Sequence, residues 1–160
     1  MAKEVKKLDD KIEPPLIEHV GWRLWRASQI WQERFTRGMV EAGYAWFGEA
    51  RAAVIPHMDR AGTRQADLTS RLGLTKQAVQ QLVDALVQDG VVERRLDPAD
   101  ARGRIVCFTQ KGLGVLADAN VVKAQIEQEF AHAITPESLS RLNAELMRVI
   151  ESCAQNRSAN

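Results

Sequence analysis

The stretch from Gln65 to Thr109 reads QADLTSRLGLTKQAVQQLVDALVQDGVVERRLDPADARGRIVCFT, and its pattern decides the fold. It opens with a short apolar stripe at helical spacing, formed by Ala66, Leu68 and Leu72. Gly73 stands where a helix commonly ends in a left-handed residue. The stretch therefore predicts a short helix, a tight turn, a second helix and a two-stranded hairpin.

The second predicted helix follows Thr75, whose hydroxyl can accept a hydrogen bond from an unpaired N–H of the first helical turn. Its apolar residues recur at helical spacing and indicate one buried face; they are Val79, Leu82, Val83 and Leu86. The first two turns of the other face carry no acid, and their polar residues are Thr75, Lys76, Gln77, Gln80 and Gln81. Taken alone, such a face is also what a solvated helix without a partner presents.

These polar residue types suit contact with DNA. A helix in the major groove reads base edges mainly with its N-terminal residues, and Gln, Lys and Thr carry suitable donors and acceptors. Acids at the same place would repel phosphate. We therefore predict that the five residues contact DNA in the major groove, and the neighbouring hairpin favours this interpretation over the solvated face.

The hairpin is predicted from two strand-like runs, residues 91–96 and 105–108, which flank a charged tip at residues 97–104. Within the tip, Asp97 followed by proline favours turn initiation, and Gly103 permits a backbone bend. A helix-turn-helix followed by a basic-tipped hairpin is a winged helix. The two features together are far more specific than either alone.

Charged side chains give the tip its predicted chemistry. Arg102 would enter a minor groove or bind a phosphate, and Asp100 would hold its guanidinium in position. Arg95 and Arg104 would add phosphate contacts. The alternative is an intramolecular surface ion pair, which contributes little to stability.

At these residues the sequence resembles the MarR-type transcriptional regulators. The matching segments are QADL (65–68), LGLTKQAV (72–79), LVQDGVVER (86–94), DPADAR (97–102) and FTQKG (108–112). The wing signature of the family, Asp-x-Arg followed by Leu-Thr, appears as Asp100, Arg102, Phe108 and Thr109. Phenylalanine in place of leucine is an apolar exchange in a strand. The specific motifs cover roughly the middle third of the chain. The flanking segments are helical, as in the family, but they carry no diagnostic residues.

The resemblance implies a mainly α (α+β) fold, in which N- and C-terminal helices around the winged helix-turn-helix form a dimerisation region. It also implies a homodimeric DNA-binding repressor on a pseudo-palindromic operator. Such repressors are often released from DNA by a small phenolic or aromatic carboxylate ligand.

The flanking sequence predicts the organisation of the rest of the chain. The first helix is expected to begin at Leu16, and a second to run from about Trp46 to Arg60. Pro56 either ends this second helix at Ile55 or kinks it, and the resemblance favours the kink. The expected divisions are a flexible arm (1–15), N-terminal helices (16–62), the winged lobe (63–109), C-terminal dimerisation helices (110–153) and a flexible tail (154–160).

The last helix places apolar residues at alternating steps of three and four, which is a seam that needs a partner. We predict that this seam packs with the first helix in a homodimer, with each protomer presenting one DNA-binding helix. The predicted dimerisation residues are Leu16, Val20, Leu139, Leu142, Leu146, Val149 and Ile150.

A ligand pocket is expected from the resemblance, at the junction of the dimer helices and the DNA-binding lobe. Indole faces with an arginine would suit an aromatic acid. The candidate lining residues are His19, Trp22, Arg23, Arg26, Trp46, Arg51 and His57. The alternative is that the tryptophans belong to the core or to the dimer interface.

Composition is ordinary for a globular protein, with 45% hydrophobic and 27% charged residues in a chain of 160, enough for one domain with a core. The net charge of +1 gives no overall indication of a nucleic-acid partner. A winged helix used for protein–protein assembly is therefore the competing hypothesis. Such a module, however, has no need of the Asp100 and Arg102 pair.

Other classes of function find little support in the sequence. There is no His-Glu-x-x-His motif and no Walker loop, so we expect neither catalysis nor a metal or cofactor. The two cysteines, Cys107 and Cys153, are too few for a disulfide framework and are expected to be small buried hydrophobes. A redox-responsive regulator is the alternative for them. No apolar run suits a membrane span or signal peptide, so a cytoplasmic location is expected.

Overall fold

The computed structural model describes residues 19–97 and 100–158, and within them every side chain except those of residues 101, 102 and 155–158. The arm predicted for residues 1–15 lies outside these ranges, as does Leu16. Helices dominate the described chain, and a small antiparallel sheet accompanies them. The predicted class, mainly α with a winged helix-turn-helix, is confirmed.

The first helix, α1, spans Val20–Glu41. His19 has extended backbone, and its ring Nδ1 accepts a hydrogen bond from the backbone N–H of Trp22 at 3.3 Å. The prediction that this helix starts at Leu16 is therefore wrong, because His19 acts as its N-cap. After the other end, Gly43 adopts a φ of +97°, which favours glycine.

Two 3₁₀ segments, Ala45–Gly48 and Ala50–His57, replace the second predicted helix. Pro56 lies in the last turn of the second segment, which ends one residue later. The lack of a proline N–H is tolerated there, because the tighter 3₁₀ spacing closes the turn with a bond from the N–H of Met58 to the carbonyl of Ile55, 3.2 Å long. Neither predicted alternative, a stop at Ile55 or a kinked α-helix to Arg60, is correct.

The helix-turn-helix consists of α2 (Gln65–Leu72) and α3 (Lys76–Gln88). Gly73 ends α2 with a φ of 65°, as its position predicted. The apolar stripe of α2 is only partly as expected: Leu68 is fully buried, whereas Ala66 is exposed.

The sheet contains three strands, β1 (Thr63–Arg64), β2 (Val92–Asp97) and β3 (Asp100–Phe108), in the order β1-β3-β2. The β2–β3 hairpin is the predicted one, and β1 is an addition. Strand β3 begins earlier than expected, since Leu96 pairs with Arg104 and Asp97 pairs with Asp100. The charged tip predicted at residues 97–104 is therefore largely strand, and the wing is a long narrow hairpin.

The last two helices are α4 (Gln110–Ile134) and α5 (Pro136–Ser158). Thr109 caps α4, accepting a hydrogen bond from the N–H of Gly112 at 3.0 Å. Helix α5 continues past Cys153, so the flexible tail predicted from residue 154 is wrong as far as Ser158. No glycine or proline interrupts residues 154–158, and nothing there breaks the helix.

The core lies where α1, the second 3₁₀ segment, the helix-turn-helix, the sheet and α4 meet. Helix α1 approaches α4 closely at Gly38, where a Cβ would lie 2.5 Å from a γ-carbon of Val122. By contrast, no described side chain of α5 is buried. The buried cluster comprises Met39, Val54, Ile55, Leu68, Val79, Val83, Leu86, Val91, Val92, Val106, Phe108, Val115, Ala119, Val122 and Ile126.

Candidate nucleic-acid interface

The N-terminal end of α3 is exposed and carries no acid in its first turn. Thr75 accepts a hydrogen bond from the backbone N–H of Ala78 at 3.2 Å, so the N-cap expected there is present. The partial positive charge of a helix N-terminus adds to the attraction for phosphate. Four of the predicted DNA-contacting side chains are exposed on this end: Lys76, Gln77, Gln80 and Gln81.

The opposite face of α3 fixes which side chains point outward. Val79, Val83 and Leu86 are completely buried, and Leu82 packs against the same core. Full burial of each such side chain is worth roughly 1.5–3 kcal/mol, so rotating the helix about its axis would be costly. The glutamine face is therefore held toward solvent by the core.

Gln80 takes part in a line of side chains that crosses the surface from α2 to the wing. The Nε2 of Gln65 donates to the Oε1 of Gln80 at 2.5 Å. The Nε2 of Gln80 donates to the two carboxylate oxygens of Asp84 at 3.1 and 3.2 Å. The next partner is Arg94 in β2, with its Nη2 2.7 Å from the Oδ1 of Asp84. The sequence had suggested none of these contacts.

The wing places its charged residues beside this line. Arg95 is exposed, and its Nε donates to the Oε1 of Glu93 at 2.7 Å, a contact that raises the pKa of Arg95 above its ordinary value. Arg104 and Asp100 are also exposed. The side chain of Arg102 lies outside the described part of the chain, although its backbone belongs to β3. The predicted orientation of Arg102 by Asp100 therefore remains a prediction.

Arg64 and Asp97 form a contact that the sequence did not reveal. The Nε of Arg64, in β1, donates to the Oδ2 of Asp97 at 2.5 Å, and the Asp97 carboxylate raises the pKa of Arg64. Asp97 is buried, and a Cβ on Gly103 would lie 3.1 Å from the Cβ of Asp97. The sequence indicated Asp97 only as a turn residue. The structure adds its role in joining the wing to the start of α2.

Two basic residues hold the C-terminal end of α3. The Nε of Arg51, in the second 3₁₀ segment, lies 3.2 Å from the Oδ2 of Asp89, and the Nζ of Lys111 donates to the carbonyl of Asp89 at 2.7 Å. Cations suit this end of a helix, where the backbone carbonyls are unpaired. Arg51 was predicted to bind a ligand; here it pairs with Asp89 and also with Glu49.

The other predicted ligand residues do not come together in one protomer. His19, Trp22, Arg23 and Arg26 lie exposed at the N-terminal end of α1. The 3₁₀ segments with Trp46 and His57 follow the other end of α1, which at 1.5 Å per residue is roughly 30 Å away. The family resemblance had placed the seven residues in one pocket, whereas within one protomer they lie toward opposite ends of the 22-residue helix α1.

A compact group of aromatic rings, which we call the aromatic cluster, does form beside the 3₁₀ segments. The ring centroid of Phe47 lies 5.6 Å from that of Phe35 and 4.4 Å from that of Trp46. Tyr44 joins the cluster and donates from its hydroxyl to the Oδ2 of Asp118 at 2.5 Å, a bond that raises the pKa of Tyr44. Trp46 is the only one of the predicted ligand tryptophans in this cluster; Trp22 stacks on Trp25 instead, with centroids 4.8 Å apart.

The cysteines differ in environment. Cys107 is buried, as expected, and its sulfur lies close to Gly62. Cys153 is exposed, so the expectation that it is buried is wrong for the described chain. Across residues 19–97 and 100–158, no group of three or more His, Cys, Asp or Glu side chains is placed to hold a metal ion.

Fold and site together define a winged helix-turn-helix protein. Residues 50–103 match the model of the MarR family. The resemblance seen in the sequence is thereby confirmed. The transcriptional regulator HosA of Escherichia coli O111:H- is 30% identical over 79 residues, which are 49% of this chain and 58% of that protein. The match thus spans little more than half of that relative.

Solved structures support the fold over most of the chain. A mutant of MarR from E. coli is 22% identical, with a TM-score of 0.69 over 84% of this chain and 98% of that one. CouR from Rhodococcus jostii RHA1, bound to p-coumaroyl-CoA, is 22% identical, with a TM-score of 0.63 over 83% and 92%. A mutant of MepR from S. aureus, bound to an oligodeoxyribonucleotide, is 19% identical, with a TM-score of 0.53 over 85% and 99%.

None of these relatives is described as an enzyme. Among the helices of the described ranges, none combines the length and the apolar character that crossing a membrane requires.

Proposed function

We propose that the protein is a sequence-specific regulator of transcription that binds double-stranded DNA as a homodimer in the cytoplasm. The observation that carries this proposal is the exposed, acid-free N-terminal end of α3, formed by Lys76, Gln77, Gln80 and Gln81 beside the wing. Two such helices related by a twofold axis would enter successive major grooves about 34 Å apart, on a pseudo-palindromic site.

The distribution of exposed apolar residues favours DNA over protein as the partner of α3. A protein-binding face usually contains large apolar or aromatic anchors, and the exposed face of α3 offers glutamines and a lysine instead. Leu74, just before α3, and Leu96, in the wing, are exposed apolar residues near this face, but most large exposed apolar residues lie in the first half of α1 and in α5. They include Val20, Trp22, Leu24, Trp25, Leu142, Met147, Val149 and Ile150.

This apolar surface supports the homodimer. Val149 and Ile150 are 57% and 60% exposed, although the sequence places them on one seam with Leu142 and Leu146. An apolar seam of this length is stabilised when a second helix covers it. We propose that a second copy of the chain does so, with α1 and α5 of the two protomers packed together.

We further propose that the protein represses transcription and that a small aromatic ligand releases it from DNA. The aromatic cluster around Phe35, Tyr44 and Trp46 lies where α1 meets the 3₁₀ segments, and its rings are chemically suited to stacking with an aromatic acid. CouR, a protein of the same fold, is described in complex with p-coumaroyl-CoA, which supports an aromatic class of effector. A ligand that lowers DNA affinity should raise the melting temperature of the free protein.

The salt dependence of DNA binding tests the proposal. Affinity for duplex DNA from the protein's own promoter should fall steeply with salt, because phosphate contacts release counterions. Lys76→Ala should weaken binding to all sequences and reduce the log–log slope by about one. Arg141→Ala, an equal loss of charge on α5, serves as the control. A salt-independent affinity, or equal effects of the two substitutions, would favour the assembly module.

A further inference from the structure

We propose that Gln80 presents its side-chain amide to DNA in one fixed orientation, because Asp84 and Gln65 prevent the amide from turning over. This makes Gln65 and Asp84 positioning residues for base recognition. The inference rests on the proposed function, since it assigns a specific role within the same DNA-binding surface.

The first step is the geometry of the amide. Both of its polar atoms have partners: Oε1 accepts from Gln65 at 2.5 Å, and Nε2 donates to Asp84 at 3.1 and 3.2 Å. The partners lie on opposite sides, Gln65 at the start of α2 and Asp84 one turn further along α3. The plane of the amide is therefore held between two elements of the helix-turn-helix.

The second step is the direction of these hydrogen bonds. An ionised carboxylate only accepts, so the amide group that faces Asp84 must be the NH₂. Turning the amide over would set its oxygen against a carboxylate and leave the Gln65 NH₂ facing another NH₂. Arg94 forms an ion pair with Asp84, with 2.7 Å between Nη2 and Oδ1, and its positive charge favours the ionised carboxylate. The hydrogen bonds to Gln65 and Asp84 consequently permit one orientation of the Gln80 amide.

The third step concerns what remains available for a base. An amide oxygen has a second lone pair, and the NH₂ has a second hydrogen, so Gln80 still offers one acceptor and one donor. The acceptor lies on the Gln65 side and the donor on the Asp84 side. Adenine offers the complementary N6 donor and N7 acceptor in the major groove, whereas guanine offers two acceptors. A fixed amide therefore selects adenine in one placement, and an amide that rotates freely tolerates more bases.

The hydrogen-bond network can be measured without DNA. In the full-length protein, ¹⁵N relaxation should give the Gln80 side-chain NH₂ the high order parameter of a rigid group, because its amide plane is held at both ends. Asp84→Asn supplies both a donor and an acceptor at that position, and should lower this order parameter toward that of a mobile side chain. Asp67→Asn, which removes the same charge from exposed α2, should leave it unchanged.

Base preference is then measured by selecting bound duplexes from a random pool with each variant. Gln80→Ala identifies the base pair that Gln80 contacts, because preference there is lost. At that pair, the wild-type protein should prefer one base about tenfold, within the usual range for a bidentate contact. Asp84→Asn and Gln65→Leu should reduce the preference to about threefold or less, while Asp67→Asn retains it.

The outcomes separate this inference from the proposed function. A freely rotating Gln80 amide in the wild-type protein would overturn the inference and leave DNA binding untouched. An unchanged base preference in both Asp84→Asn and Gln65→Leu would overturn it as well. Absence of any DNA binding at low salt would overturn the proposed function, and the inference with it, even where the NMR spectrum shows a fixed amide.

Discussion

Arg51 and Asp89 join the second 3₁₀ segment to the C-terminal end of α3, with 3.2 Å between Nε and Oδ2. This contact lies at the opposite end of α3 from the residues proposed to touch DNA. It can therefore set the tilt of α3 without reaching a phosphate or a base. The 3₁₀ segments also carry part of the aromatic cluster, so we expect a shift of these segments to reach α3 partly through this pair.

The Arg51 and Asp89 pair should affect DNA affinity only indirectly. We expect Arg51→Ala to weaken operator binding up to about fivefold, since a partly exposed ion pair contributes about 1 kcal/mol or less. The salt slope should stay that of the wild type, because no phosphate contact is lost. A double-mutant cycle with Asp89→Ala, measured by fluorescence anisotropy, should show coupling between the two sites. A reduced salt slope would mean that Arg51 touches DNA itself.

The turn before β1 should lose stability in acid. Asp59 accepts from Arg71, with 2.9 Å between Oδ2 and Nη2, and this contact lowers the pKa of Asp59 below its ordinary 3.8. A carboxyl whose pKa is lowered on folding stabilises the fold above its unfolded pKa, and loses that contribution as the pH falls through its folded value. The free energy of unfolding should therefore decline below about pH 4, and Asp59→Asn should make the decline shallower. Identical pH profiles for the two proteins would contradict this.

Leu68 should be among the most sensitive core positions. It is completely buried within the helix-turn-helix, and Leu68→Ala is expected to lower the free energy of unfolding by about 2–5 kcal/mol. Leu113→Ala is the matched control, since Leu113 is 45% exposed on α4. Urea unfolding followed by circular dichroism measures both. Equal losses for the two variants would show that the placement of Leu68 is incorrect.

The seam of α5 should control assembly. Placing carboxylates at two exposed apolar positions, Val149→Asp with Ile150→Asp, should convert a dimer into monomers, because a paired seam would then bury two charges. Sedimentation velocity measures the change, with Ser140→Asp as a control for adding charge to the same helix. A wild-type protein that is monomeric at all concentrations would contradict the homodimer.

Much of the fold could be predicted because local signals agreed with each other. Gly73 and Thr75 mark a helix end and a helix start, and Val79 to Leu86 carry one clear period. The 3₁₀ segments could not be predicted in this way, because an apolar run around Pro56 is equally compatible with a stopped or a kinked α-helix. The end of α5 was placed too early, at residue 153, although nothing in residues 154–158 prevents helix formation.

The sequence could indicate residues of the candidate DNA-binding surface only where they lie close together along the chain. Lys76, Gln77 and Gln81 come from one helix, whose period alone orients them. The partners that hold the site, such as Arg64 with Asp97, are 33 residues apart and meet only through the pairing of the sheet. The predicted ligand residues were grouped through the family resemblance, and within one protomer they lie toward opposite ends of α1, so their role in binding stays a prediction.

The most direct test of the central claim is the selection of duplexes by α3 itself. The wild-type protein, as the proposed dimer, should enrich a pseudo-palindrome from a random pool, with half-site centres about 10 base pairs apart. The double variant Gln77→Ala with Gln81→Ala should lose the base preference at the pairs that these two residues contact, while keeping salt-sensitive binding through Lys76 and the wing. Gln88→Ala, at the far end of α3, should enrich the same sites as the wild type. Enrichment of no sequence by the wild type, or of identical sequences by the Gln77 and Gln81 variant, would contradict the assignment of α3 to the major groove.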